Sequence, residues 1–107
     1  MIGRIWRGRT PESQGEEYFE YLKKTGIEQY GATKGNRGVY VLRRTKEGAA
    51  EFLLLTLWES MDAIKEFAGP NPEQAVYYPE DEQYLLELEP RVEHYECLLA
   101  DSDPQEC

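Results

Sequence analysis

Phe52-Leu53-Leu54-Leu55-Thr56-Leu57-Trp58 decides the fold. A strand sends alternate side chains to opposite faces, so Phe52, Leu54 and Trp58 point one way and Leu53, Leu55 and Leu57 the other. The segment therefore predicts a strand, Glu51–Glu59, that is apolar on both faces. Upstream, Val39–Arg44 predicts a neighbouring strand, joined to it by the hairpin connection Thr45-Lys46-Glu47-Gly48. Ile2–Arg9, which alternates imperfectly and is rich in Ile and Trp, predicts a first strand, and Val92–Leu99 a last one.

Between the strands lie two helix signals. Thr10-Pro11-Glu12 reads as an N-cap, a proline at the first helical position and an acid in the first turn. The helix so opened carries Tyr18, Phe19 and Leu22 on one stripe and is expected to end near Gly26. Residues 31–38 read as a loop; they are glycine-rich but lead into a strand, which argues against a phosphate cradle. Ser60 caps the second helix, with Ala63, Ile64, Phe67 and Ala68 as its buried stripe and Gly69-Pro70 as its stop. Asn71-Pro72 restarts a short helical turn towards Tyr77-Tyr78-Pro79, and an acidic stretch follows.

The order is β-α-β-β-α-β, the α+β, ferredoxin-like arrangement of a four-stranded antiparallel sheet with helices on one face. A chain of 107 residues has the length of one domain, expected over residues 1–99, with 100–107 as a flexible C-terminal tail. Two helices cover only one face of the sheet. The other collects Leu53, Leu55 and Leu57 with either Val39 and Val41 or Tyr40 and Leu42, a patch that soluble monomers rarely expose. Packing the sheet against its own copy buries that patch, so the sequence predicts a homodimer.

The net charge of -9 disfavours nucleic acid and anionic membrane as partners, since both need a cationic surface. The charge is uneven: residues 1–53 carry ten basic and seven acidic side chains, whereas residues 54–107 carry two and fourteen. The acidic half reads as a solvated surface that keeps the protein soluble. Cys97 and Cys107 do not make a disulfide framework, and one histidine without a close cysteine pair does not supply a usual metal-ligand set. Met1–Thr10 has three arginines and no apolar core, and the longest apolar run, Phe52–Leu55, is far short of a membrane span. A cytoplasmic protein is expected.

Leu55-Thr56-Leu57-Trp58-Glu59-Ser60, running into Ala63-Ile64-Lys65-Glu66-Phe67, resembles the strand-Trp-x-Ser-helix junction of the antibiotic biosynthesis monooxygenase family. Val39–Arg44 and His94-Tyr95-Glu96 are similar to members of that family more weakly. The resemblance implies a dimeric α+β barrel and an activity among cofactor-independent oxygenases of aromatic polyketides, haem-degrading monooxygenases, or members with no demonstrated activity. The haem-degrading branch has an Asn, a Trp and a His at its site. Against this chain they fall on Trp6, Trp58 and Tyr77, so the resemblance implies oxygenation of an aromatic small molecule without metal, flavin or haem.

Trp58 is the first candidate site residue, at the exit of a strand and on the same parity as Trp6 of the first strand. The two indoles either clamp a flat aromatic ligand beside the segment carrying Tyr77, or pack the core. Tyr77 and Tyr78 offer phenols to bind a substrate or take its proton; adjacent tyrosines before a proline are more often one packed ring and one half-exposed ring. His94, the only histidine, could act as acid or base near Glu96, although a strand histidine is more often simply hydrogen-bonded or solvated. Arg4 shares the parity of Trp6, and Arg43 or Arg44 faces the same side; an arginine beside aromatic rings can hold an anionic or phenolic substrate, while solvated strand-end arginines are the more common case. A non-catalytic dimeric binding module using the same pocket is the competing reading.

Overall fold

The computed structural model describes residues 1–100. Its elements are β1 (Ile2–Pro11), a short 3-10 helix (Glu12–Gln14), α1 (Gly15–Lys24), α2 (Gly26–Ala32), β2 (Asn36–Lys46), β3 (Ala49–Trp58), α3 (Met61–Ala68), α4 (Asp81–Tyr84) and β4 (Glu93–Glu96). All strands pair antiparallel in the order β2-β3-β1-β4. This is the expected ferredoxin-like sheet, with the two-faced strand β3 between β2 and β1. The expected tail, residues 101–107, and with it Cys107, lies outside the described residues.

The β2–β3 hairpin is tight because Glu47 and Gly48 both have positive φ, 53° and 78°. That is the mirror-image turn whose twist matches the right-handed twist of the strands it joins. At the other end of β3, Ser60 Oγ accepts a hydrogen bond from the Ala63 N–H at 3.2 Å and so caps α3 as expected. Gly69, with φ of 90°, ends that helix.

The first helix departs from expectation. Thr10 and Pro11 are not its cap; both belong to β1, where they pair with Ala50 and Ala49. Cross-strand pairing outweighs a local capping signal, and α1 begins only at Gly15. Nor does helix end near Gly26. Thr25 interrupts the helix, its Oγ1 donating back to the Tyr21 carbonyl at 2.9 Å, and α2 then carries the chain to Ala32. Asn71-Pro72 opens a single turn closed by the Gln74 N–H on the Asn71 carbonyl, without a helix. The last strand is shorter than read, and the acidic stretch contains the four-residue α4.

The core lies between the helices and one face of the sheet. Tyr18, Phe52, Leu54, Trp58 and Ile64 are essentially without exposure there. Each such side chain contributes about 1.5–3 kcal/mol by leaving water. Val39 and Val41 pack against this core, which puts Tyr40 and Leu42 on the open face with Leu53, Leu55 and Leu57. That answers the parity question at β2.

The charge asymmetry is partly closed by ion pairs between the two halves. Arg7 pairs with Glu93, Arg9 with Glu87 and Arg37 with Glu59. The acidic half is thus not wholly a free, solvated surface.

Candidate functional site

Register arranges the site on the helix-facing side of β1. Arg4 stands opposite Thr56 of β3 and, on its other flank, opposite His94 of β4; Trp6 stands opposite Leu54, and Ile2 opposite Trp58. Arg4 therefore occupies the position in the sheet between the two tryptophans.

Trp58 is fully buried. Its ring packs on Phe67 of α3 (centroids 5.8 Å apart) and on Tyr30 of α2 (6.2 Å), and its N–H donates to Thr56 Oγ1 at 2.8 Å. Trp6 lies edge-on to Tyr77 at 6.3 Å and leans over Gly8, where a Cβ would come within 2.4 Å of the indole. Only glycine permits that approach. The cavity beside Trp6 is about 20 Å³ and is lined by Tyr18, Tyr30, Tyr78 and Asp81, among others, but not by Trp58. The expected indole clamp is therefore not formed. The reason is α2, a helix that the sequence did not announce beyond Gly26: it delivers Tyr30, which packs on Trp58 and walls the cavity next to Trp6.

Tyr77 and Tyr78 are both partly buried, and burial raises both phenols above their ordinary range. The Tyr77 hydroxyl donates to the Glu89 carbonyl. Buried Asp81 accepts from the Tyr18 hydroxyl at 3.0 Å and from the Tyr78 N–H at 2.5 Å. Burial nonetheless holds its carboxyl above the usual range, because desolvation outweighs the two donors. The sequence reading missed this group, since an aspartate in a run of acids looks like surface.

Arg4 departs most from expectation. It is not a solvated strand-end residue: only 1 % of it is exposed. Its Nη2 donates to the Gln74 carbonyl at 3.1 Å, and its guanidinium carbon lies 5.4 Å from the centre of the Phe67 ring. Burial pushes its pKa down, partly offset by Tyr30. The Tyr30 phenol is itself pushed up to about 12 by burial, with the Arg4 charge pulling the other way. His94 is held below the ordinary imidazole range by burial and then by the Arg4 charge, so it is neutral at pH 7. Arg4 Nε, Trp6 Nε1 and His94 Nε2 are buried atoms without a hydrogen-bond partner. Arg43, across from Phe52, shares the helix-facing parity but pairs with Glu16 of α1, whereas Arg44 is on the open face with Glu51.

The open face carries a concavity of about 570 Å³, with Leu42 and Leu53 in its lining and Arg7, Arg9 and Arg44 around them. Among the described residues no cluster of three or more His, Cys, Asp or Glu is arranged to hold a metal ion, and no helix is long and apolar enough to cross a membrane.

No protein-family model and no curated protein matches the sequence. Solved structures do. A crystal structure of a MhuD point mutant with two manganese protoporphyrin IX molecules bound per active site superposes with a TM-score of 0.62 at 18% identity, covering 96% of this chain and 100% of that one. A Bacillus cereus protein described as an antibiotic biosynthesis monooxygenase gives a TM-score of 0.57 at 15% identity, with 96% of each chain covered. The fold is therefore the one that the Trp58-Glu59-Ser60 junction resembles. Of the groups able to ligate a porphyrin iron, the Tyr77 hydroxyl is committed to the Glu89 carbonyl and the His94 imidazole sits beside the buried Arg4 cation.

Proposed function

We propose that the chain is a member of the antibiotic biosynthesis monooxygenase family that holds a flat aromatic small molecule between its helices and sheet. The observation that carries this reading is the concentration of rings there. Trp6, Tyr30, Trp58 and Phe67 gather over β1 and β3 with Tyr77 and Tyr78 of residues 69–80, a segment without a helix that is bridged to Arg91 at Gln74. Entry of a ligand requires that segment to lift, since the cavity present is small. Trp6, which borders that cavity, supplies an apolar wall, and Trp58 backs Tyr30, which lines it.

The reaction that suits such a site is oxygenation by dioxygen of an acidic CH₂ flanked by aromatic rings. The substrate loses two hydrogens and gains one oxygen as a carbonyl; the second oxygen atom leaves as water. No external reductant is consumed, because the substrate supplies all four electrons. His94, neutral and with an unpartnered Nε2, is the group able to accept the proton that ionises the substrate. The Tyr77 phenol becomes a donor to the substrate once it gives up the Glu89 carbonyl as the segment lifts.

The rival, a non-catalytic binding module, is favoured by the satisfied N–H of Trp58 and hydroxyl of Tyr77. Tryptophan emission read during titration with an anthrone tests the shared claim of binding. A saturable change supports it, and an unresponsive spectrum refutes it.

The open face completes the proposal. Leu53, Leu55 and Leu57 with Tyr40 and the half-exposed Leu42 form an apolar sheet surface that the helices leave uncovered. A second copy packed there by a two-fold axis gives the dimeric α+β barrel. A cytoplasmic setting belongs to the same reading.

A further inference from the structure

Every other arginine among the described residues has an acidic partner: Arg7, Arg9, Arg37, Arg43, Arg44 and Arg91 each pair with a glutamate. Arg4, the most deeply buried of them, has none. Its recorded hydrogen bond is to a neutral carbonyl, that of Gln74, and its Nε has no partner. A cation taken out of water without a counter-ion is costly, and chains seldom retain one without a use for it. His94 stands directly across the β1–β4 ladder, its Nε2 also buried and unpartnered. An arginine nitrogen that donates, and an imidazole nitrogen that donates once it has taken up a proton, are thus left open on adjacent strands and on one face of the sheet. The Phe67 ring lies over the guanidinium, and the Tyr30 hydroxyl faces it.

We propose that Arg4 and His94 form the anchor for an acidic group, so that the site takes an aromatic molecule bearing a carboxylate or an ionised phenol or enol and discriminates against its neutral counterpart. This rests on the aromatic-ligand reading above and names the class of ligand. An anionic oxygen at the guanidinium makes a charge-assisted hydrogen bond, stronger than the bond to the Gln74 carbonyl that it replaces. Gln74 belongs to the segment that must lift for entry, so the same movement uncovers the cation. Arg4 is here an anchoring residue; it fixes where the acidic edge of the substrate lies relative to His94.

The test uses the full chain, 2-naphthoate and its neutral isostere 2-naphthamide, with tryptophan emission as the signal. Wild type is expected to bind naphthoate at least about tenfold more tightly than the amide. Arg4→Met is expected to bind the two alike, and His94→Asn to narrow the margin without erasing it. Thermal melts verify that each variant is folded, and Arg4→Gln replaces Arg4→Met if the latter does not fold. Equal affinity of wild type for both probes, or a naphthoate preference that survives loss of the arginine, overturns the proposal and leaves the aromatic site standing. Failure of both probes to bind overturns the proposal and the aromatic site together.

Discussion

The Arg4 guanidinium carbon lies 5.4 Å from the centre of the Phe67 ring, so a cation from β1 is buried against an aromatic side chain of α3. Arg4 contributes charge where the fold gains little from it. Replacing a buried charged group by an apolar one of similar volume is often neutral or stabilising. Arg4→Met is accordingly expected to keep its urea midpoint or raise it. A loss above about 3 kcal/mol, the scale of breaking a needed buried pair, would make Arg4 a structural residue instead.

Trp58 has the opposite profile. It is fully buried, packed on Tyr30 and Phe67, with its N–H satisfied by Thr56. Trp58→Ala is expected to cost ~3–5 kcal/mol by chemical denaturation, as large buried aromatics do. A cost under about 1 kcal/mol, of the size seen at exposed sites, would contradict this packing.

Asp81 gives a pH signature with a definite sign. Burial raises its folded-state pKa above the ordinary 3.8, despite the donors Tyr78 N–H and Tyr18 hydroxyl. The folded state then binds the proton more tightly than the unfolded one, so this group adds stability as pH falls through its raised pKa towards 3.8 and removes it as pH rises. Urea midpoints of wild type and Asp81→Asn, followed from neutral to acid pH, are expected to diverge in favour of wild type. A gap that instead shifts against wild type on acidification would mean that the two donors win and the carboxyl is depressed.

The open face makes a claim about mass. Light scattering at micromolar concentration is expected to give twice the chain mass of 12.5 kDa. Leu55→Asp, which sets a charge in the middle of β3 on that face, is expected to give monomer or unfolded chain. A wild-type monomer would contradict sheet-to-sheet packing.

The sheet was legible because β strands report their faces with a period of two. Phe52–Trp58 shows both faces at once, and the Ser60 cap marks the turn into α3. The helices between β1 and β2 were not, for two reasons. Thr10-Pro11-Glu12 carries a capping signal that cross-strand pairing with Ala49 and Ala50 overrides, and the glycines of residues 26–38 hide the seven residues of α2. That second miss propagated to the site, because Tyr30 comes from α2. Parity put Arg4, Trp6 and Trp58 on one side, but it left the side of His94 open until pairing with β1 set it opposite Arg4. Whether an arginine at a strand end is wet or dry depends on what covers it, and here the cover is Gln74, 70 residues away in sequence.

The central claim, oxygenation of an aromatic ligand, is tested most directly with oxygen-18 gas. The purified protein, free of added metal, flavin and haem, is incubated with an anthrone, and the quinone product is read by mass spectrometry. The account predicts quinone formed at least about tenfold faster than in buffer, a modest rate ratio beside what enzymes reach, with one heavy oxygen per molecule at the new carbonyl. Anthrone that binds but is converted no faster than in buffer, or a product without the label, would contradict it.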